Sequence, residues 1–242
     1  NAAKFGLHFR LSHEDWHIES NGKRVAGRQP STNRFASRVP SNISSVIEKY
    51  AHAAGFDPLI AKTLAGIESG GNPRTRTGSY KGLYQLSDSE FAKYGGGNIY
   101  DANDNARAGM KKLAANSAAF EKKYRRKPSA TELYMVHQQG VGGADAHMRV
   151  PERAAWESMH STGEGRGKGV AWSKKAIWGN VPPKFKKMWG SVERVSSAEF
   201  MAMWASKVEG IPYETALKSI LKDGRIGRAP SSNSDANEGL LP

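Results

Sequence analysis

Helix-start signals recur along this chain, and no segment of useful length alternates apolar with polar residues, which restricts it to a mainly α fold. Three starts carry the capping-box spacing, a serine followed three positions later by a glutamate: Ser87 with Glu90, Ser129 with Glu132, and Ser196 with Glu199. The stretch "DPLIAKTLAGIESGG" marks both ends of a further helix. Asp57 is its N-cap, Pro58 its first residue, and Gly70 and Gly71 stop it, with Ile60, Leu64 and Ile67 along one stripe. "SNISSVIEKYAHAAGF" sets Ile43, Val46, Ile47, Tyr50 and Ala54 on one helical face, and "DNARAGMKKLAANSAAF" does the same with Ala106, Met110, Leu113 and Ser117. "PYETALKSILKDG" closes the ordered region with Tyr213, Leu217, Ile220 and a stop at Gly224.

A chain of 242 residues, 38% of them hydrophobic, has room for one good domain with extensions. It has no cysteine, which excludes a disulfide framework and a thiolate metal site. No apolar run approaches the roughly 20 residues that a bilayer span needs, and no signal-peptide core is visible, so the protein reads as soluble. It opens on "NAAKFGLHFRL" without a methionine, as a piece cut from something longer would. Residues 21–40 are rich in Gly, Pro, Ser and Arg and read as a linker, and residues 225–242 as a disordered tail. Net charge is +13, which draws polyanions: nucleic acid, acidic glycans or anionic lipid.

Glu68 is the acid this pattern singles out. It falls on the last turn of its helix, where the partial negative charge of the helix C-terminus disfavours a carboxylate, and with burial that placement raises the pKa. A carboxylic acid held neutral can protonate the poor leaving group of a glycosidic bond. A substrate with a 2-acetamido group can supply its own nucleophile, so one glutamate suffices.

Four segments in order, "ESGGNP", "GLYQL", "NIYDANDNARAGMKKL" and "HQQGVGG", resemble the soluble lytic transglycosylase domain of the lysozyme superfamily. The resemblance covers residues 41–160. It implies a lysozyme-like helical domain in which Glu68 protonates the bond between MurNAc and GlcNAc in peptidoglycan. Glu68 would then act as base on the C6 hydroxyl, closing a 1,6-anhydro ring. The family's pattern sets Ser69 after the catalytic acid, beside the substrate's acetamido or peptide-bearing group. Gly82, Leu83 and Gln85 match the "GLMQ" element, with Tyr84 where methionine is usual and Gln85 lining the sugar cleft, and Asn98 and Ile99 match the "NI" that opens the next helix. The "AYNAG" element departs most: His137 replaces the tyrosine that contacts the acid, and Gln138 replaces the asparagine. A cationic His137 would lower the pKa of Glu68 and oppose its role. Glu68 is therefore the catalytic candidate, with Ser69, Tyr84, Gln85, His137 and Gln138 as substrate contacts and no cofactor required.

Residues 1–20 hold "FGLHFRLSHEDWHIES", which resembles the C-terminal end of the zinc domain of D-alanyl-D-alanine carboxypeptidases and L-alanyl-D-glutamate peptidases. There Glu14 would be the catalytic base and His17 the third zinc ligand, and the other two ligands lie upstream of the chain. A catalytic zinc site takes three protein ligands, so zinc is expected only for that truncated domain. The alternative is a chance ExxH in a flexible terminus.

Residues 161–224 read as a basic helical extension. From 121 to 190 there are 14 Lys or Arg against 6 Asp or Glu, interleaved with Trp156, Trp172, Trp178 and Trp189. Such patches bind nucleic acid or an anionic wall, or are a solvated face over ordinary core tryptophans. The fused peptidase remnant and the missing leader suggest a phage virion protein that opens the cell wall at the periplasm during genome entry. Its partners would be peptidoglycan strands and, through the basic part, other virion proteins and DNA. The alternatives are a cellular wall-remodelling transglycosylase or endolysin, periplasmic or secreted, and a non-enzymatic virion or channel protein that grips glycan or DNA.

Overall fold

The computed structural model describes residues 33–223 and, as backbone alone, the short strands β1 (Leu7–Phe9) and β2 (Ile18–Ser20). The described chain is mainly helical and divides into two compact units, one reaching to Lys111 and the other beginning at Lys112. Among the described residues no helix is long and apolar enough to cross a membrane.

The first unit holds β1 and β2, paired antiparallel, then α1 (Ser41–Ala53), α2 (Pro58–Ser69), a hairpin of β3 (Arg76–Thr77) and β4 (Tyr80–Lys81), and α3 (Asp88–Tyr94). It also holds the start of α4 (Ala102–Tyr124), which crosses the division. Two-residue strands are too short to show alternation, so the hairpin leaves no periodic signal in the sequence. The caps are where local chemistry puts them: the Asp57 carboxylate accepts from the Leu59 amide at 2.7 Å, and Ser87 and Glu90 close a capping box. Ile47, Ala51, Leu64, Ala65 and Met110 are buried in the core.

Composition marks residues 21–40 as linker, yet the described part of that span is packed. Phe35, Ala36 and Val39 are buried, with a short 3-10 turn over Ala36–Arg38. The cause lies on α2. Gly66 has no Cβ, and the Phe35 carbonyl takes the space a side chain would fill. A mid-helix glycine costs roughly 0.5–1 kcal/mol relative to alanine, which the burial of Phe35 offsets.

The second unit contains the rest of α4, then α5 (Ala130–Arg149), α6 (Ala155–His160), α7 (Gly163–Lys168), α8 (Val170–Trp178), α9 (Pro183–Trp189), α10 (Ser197–Val208) and α11 (Tyr213–Asp223). Helix α5 breaks at Gly140, whose φ of 70° and ψ of 169° lie outside helical space. Helix α10 is buried on nearly every side through Phe200, Met201, Met203, Trp204 and Val208, as a helix apolar all round must be. It packs on α5, α6 and α11. Helix α10 thus lies in one compact unit with α5 and α6. No one-sided stripe betrays this in the sequence, because a central helix has none.

Candidate functional site

Glu68 occupies the last turn of α2 and is half-buried; it is the only carboxylate of that helix. Gly70 (φ 64°) and Gly71 (φ 76°) follow it in the left-handed conformation, which ends the helix sharply and turns the chain back over it. At Gly71 a Cβ would lie 2.8 Å from the Val39 Cα, so the turn depends on glycine twice over.

The returning loop is fastened onto α2 by Ser69. Its hydroxyl oxygen lies 3.0 Å from the carbonyl oxygens of both Ala65 and Leu83, and the single proton serves one or the other. Thr75 donates its hydroxyl to the Ser69 carbonyl at 3.2 Å, and the Gly82 amide donates to the Thr75 carbonyl at 2.9 Å. Lys81 and Leu86 exchange backbone bonds at 3.0 Å in each direction. The "ES" and "GLYQ" segments thus meet through direct hydrogen bonds around Glu68.

Tyr84, implied as a substrate contact, is fully buried instead. Its hydroxyl donates to the Ala61 carbonyl at 3.0 Å, its ring covers Gly109, and burial pushes the phenol far above its ordinary pKa. It is a neutral strut. Gln85 has a φ of 43°, uncommon outside glycine, and turns its side chain inward. Its amide donates to the Gly82 carbonyl at 2.8 Å and the Thr75 carbonyl at 3.2 Å, and its Oε1 is buried with no partner among the described residues. Both residues shape the loop from beneath.

Asn105 is the residue that sequence reasoning missed. It is fully buried on α4, and its Oδ1 accepts from the Tyr84 amide at 3.0 Å. Its Nδ2 donates to the carbonyls of Ile99 at 2.9 Å and Lys81 at 3.3 Å. Gly82 (φ 80°) sits against it, with no space for a Cβ. The signal available was a polar residue on an otherwise Ala, Gly and Met face of α4, next to Ala106 and Gly109.

The nearby aspartates are engaged elsewhere. Asp88 pairs with Lys81 at 2.8 Å, and Asp101 accepts from the amides of Asn103 and Asp104 at the start of α4. Asp104 accepts from the Asn98 amide at 2.9 Å and pairs with Arg107 at 2.8 Å. Asp101 and Asp104 thus serve the start of α4 and the loop before it, and Asp88 an exposed ion pair.

His137 and Gln138 belong to the second unit, at the end of the first segment of α5, just before the Gly140 break. His137 is buried with its ring 6.3 Å from that of Tyr134, and the Gln138 amide donates to Asn180 Oδ1 at 3.0 Å. Deeper in this unit is a closed polar relay. His147 Nδ1 lies 2.9 Å from Ser197 Oγ, His147 Nε2 lies 2.9 Å from Gln139 Oε1, and the hydroxyl oxygens of Ser197 and Ser158 are 2.9 Å apart. His147, Ser158 and Ser197 have no solvent contact, and burial holds the imidazole neutral, with its pKa lowered to about 3. The relay resembles a nucleophile and its base but is sealed from substrate.

Glu14 and His17, on which the zinc reading depends, lie outside the described residues, and no group of three or more His, Asp or Glu among the described residues could hold a metal ion. No family model matches the chain, and a search of curated proteins finds no match.

Proposed function

We propose that the chain is a peptidoglycan lytic transglycosylase, with residues 41–160 as its lysozyme-like domain and Glu68 as its one catalytic acid. The observation that carries this reading is the place of that carboxylate, half-buried on the last turn of α2 where the Gly70–Gly71 turn brings the "GLYQ" loop back onto the helix. Between Ser69 and Ser87 the chain has no other Asp or Glu, and Asp88, Asp101 and Asp104 are committed to ion pairs and caps. With these three aspartates already engaged, the attacking group in this reading comes from the substrate. Protonated Glu68 gives its proton to the bridging oxygen as the C1–O bond breaks, while the acetamido group stabilises the anomeric carbon. The Glu68 carboxylate then takes the C6 hydroxyl proton as O6 bonds to C1, and the acid is restored. The C6 hydroxyl is already held within the same sugar, a large proximity advantage over water.

Ser69, Tyr84 and Gln85 serve by fixing the loop, while His137 and Gln138 are carried as glycan contacts on the resemblance alone. The biological setting that best fits a wall-cleaving domain of this charge is a phage virion protein acting on the periplasmic wall during genome entry. Sacculi digested with the chain, analysed by mass spectrometry, should release anhydro-muropeptides, each lighter by one water than a hydrolase product. Glu68→Gln should keep the circular dichroism spectrum and lose on the order of 10²–10⁴-fold in rate. Reducing-end MurNAc as the main product, or a Glu68→Gln chain within a few-fold of the parent, would overturn the proposal.

A further inference from the structure

Residues 155–190, which span α6 to α9, hold seven Lys or Arg against two acids, Glu157 and Glu164. Of the four tryptophans interleaved with basic residues here, Trp189 is buried in the core, whereas Trp156, Trp172 and Trp178 are half-exposed. Each of those three carries an ammonium over its ring. Lys174 stands 4.8 Å from the Trp156 centroid, Lys168 stands 4.6 Å from Trp172, and Lys186 stands 5.5 Å from Trp178. Helix α8 presents Trp172 and Trp178 on the two edges of its outward face, with exposed Lys175 between them. Their Cα atoms are separated by about 9 Å along the helix axis, at 1.5 Å per residue.

We propose that this face, built from α6 to α9, binds single-stranded nucleic acid, a function separate from glycan cleavage at Glu68. Lysines alone would suit any polyanion. Three surface indoles add a requirement for flat partners, and a single strand supplies both: phosphates for the ammonium groups and unpaired bases for the rings. A duplex hides its base faces in its own stack. A base-free phosphate polymer has nothing to lay on an indole, and a neutral glycan leaves the cations idle. The competing contacts are weak. Lys168 pairs with Glu164 at 2.7 Å and Lys174 with Glu193 at 2.9 Å, both exposed enough for solvent to screen them, and an ammonium over a half-exposed ring can leave it for a phosphate.

The test titrates the full chain with a short oligothymidylate, a duplex of equal length, inorganic polyphosphate and a neutral chitooligosaccharide, reading tryptophan fluorescence and anisotropy of labelled probes. The oligothymidylate should bind most tightly and quench the fluorescence. Trp172→Leu and Trp178→Leu should each weaken it roughly tenfold while leaving polyphosphate binding in place. Lys168→Gln, Lys175→Gln and Lys186→Gln together should flatten the slope of log K against log salt by about 2. Duplex or polyphosphate binding as tight as oligothymidylate overturns the proposal, as does equal quenching by the chitooligosaccharide that disappears in the tryptophan variants. If those variants fail to fold, quenching of the unaltered chain decides: its absence on saturation with oligothymidylate overturns the proposal.

Discussion

His147 links this protein's stability to pH. In the folded chain its pKa is lowered to about 3 by burial, against an ordinary value of 6.5. Below 6.5 the unfolded chain takes up a proton that the folded chain refuses, so the stabilising effect of the neutral imidazole is complete above that value. It is lost progressively as pH falls toward about 3, by up to about 1.4 kcal/mol per pH unit. Urea midpoints should therefore drop between neutral and mildly acidic pH, and His147→Gln should remove much of that slope whatever its effect on absolute stability. Identical slopes for the two chains would show that His147 is not the group responsible. None of this is legible in the sequence: a histidine among Ala, Met and Asp in a helix gives no sign that Ser197, fifty positions on, completes its hydrogen bonding. Glu68 is the opposite case, since its helix and the two glycines behind it are fixed by neighbours within a few positions.

At the scale of elements, the difference between legible and illegible features is sequence distance. The caps at Asp57, Ser87, Ser129 and Ser196 form as the sequence suggests, because donor and acceptor are at most three residues apart. The loop after Glu68 could not be read so fully. Tyr84 and Gln85 look like cleft residues in "GLYQL", yet the Tyr84 amide is held by Asn105, 21 positions on, and the Gln85 side chain is turned inward onto the carbonyls of Gly82 and Thr75. Asn105→Ala should test that arrangement. It leaves the Tyr84 amide and the carbonyls of Lys81 and Ile99 without this partner, at about 1–3 kcal/mol for each buried group that stays unpaired. A lowered urea midpoint should accompany loss of lytic activity, although Glu68 itself is untouched. Retention of both would mean that α4 does not hold the loop in its working shape.

At the scale of the whole molecule, the division between units and the charge differ in how well the sequence foretells them. The division near Lys111 is hidden because one uninterrupted helix, α4, runs across it. The charge of +13 is plain from composition, and it acts at long range whatever the arrangement of the units. If the substrate is an intact wall bearing peptide carboxylates, attraction to it raises the local concentration of the chain before any contact at Glu68. That attraction is screened over a Debye length, about 10 Å at 0.1 M salt. Bond cleavage inside a bound glycan is far less exposed to salt than the approach to a charged polymer. Raising ionic strength should thus slow the release of muropeptides from sacculi steeply, while cleavage of a short glycan lacking stem peptides changes little. Turbidity clearing of sacculi and chromatography of the short glycan, run over the same salt series, make the comparison. Parallel decline of both rates would place the salt effect on the fold or on Glu68 itself, and would remove long-range attraction from the account of how this chain reaches the wall.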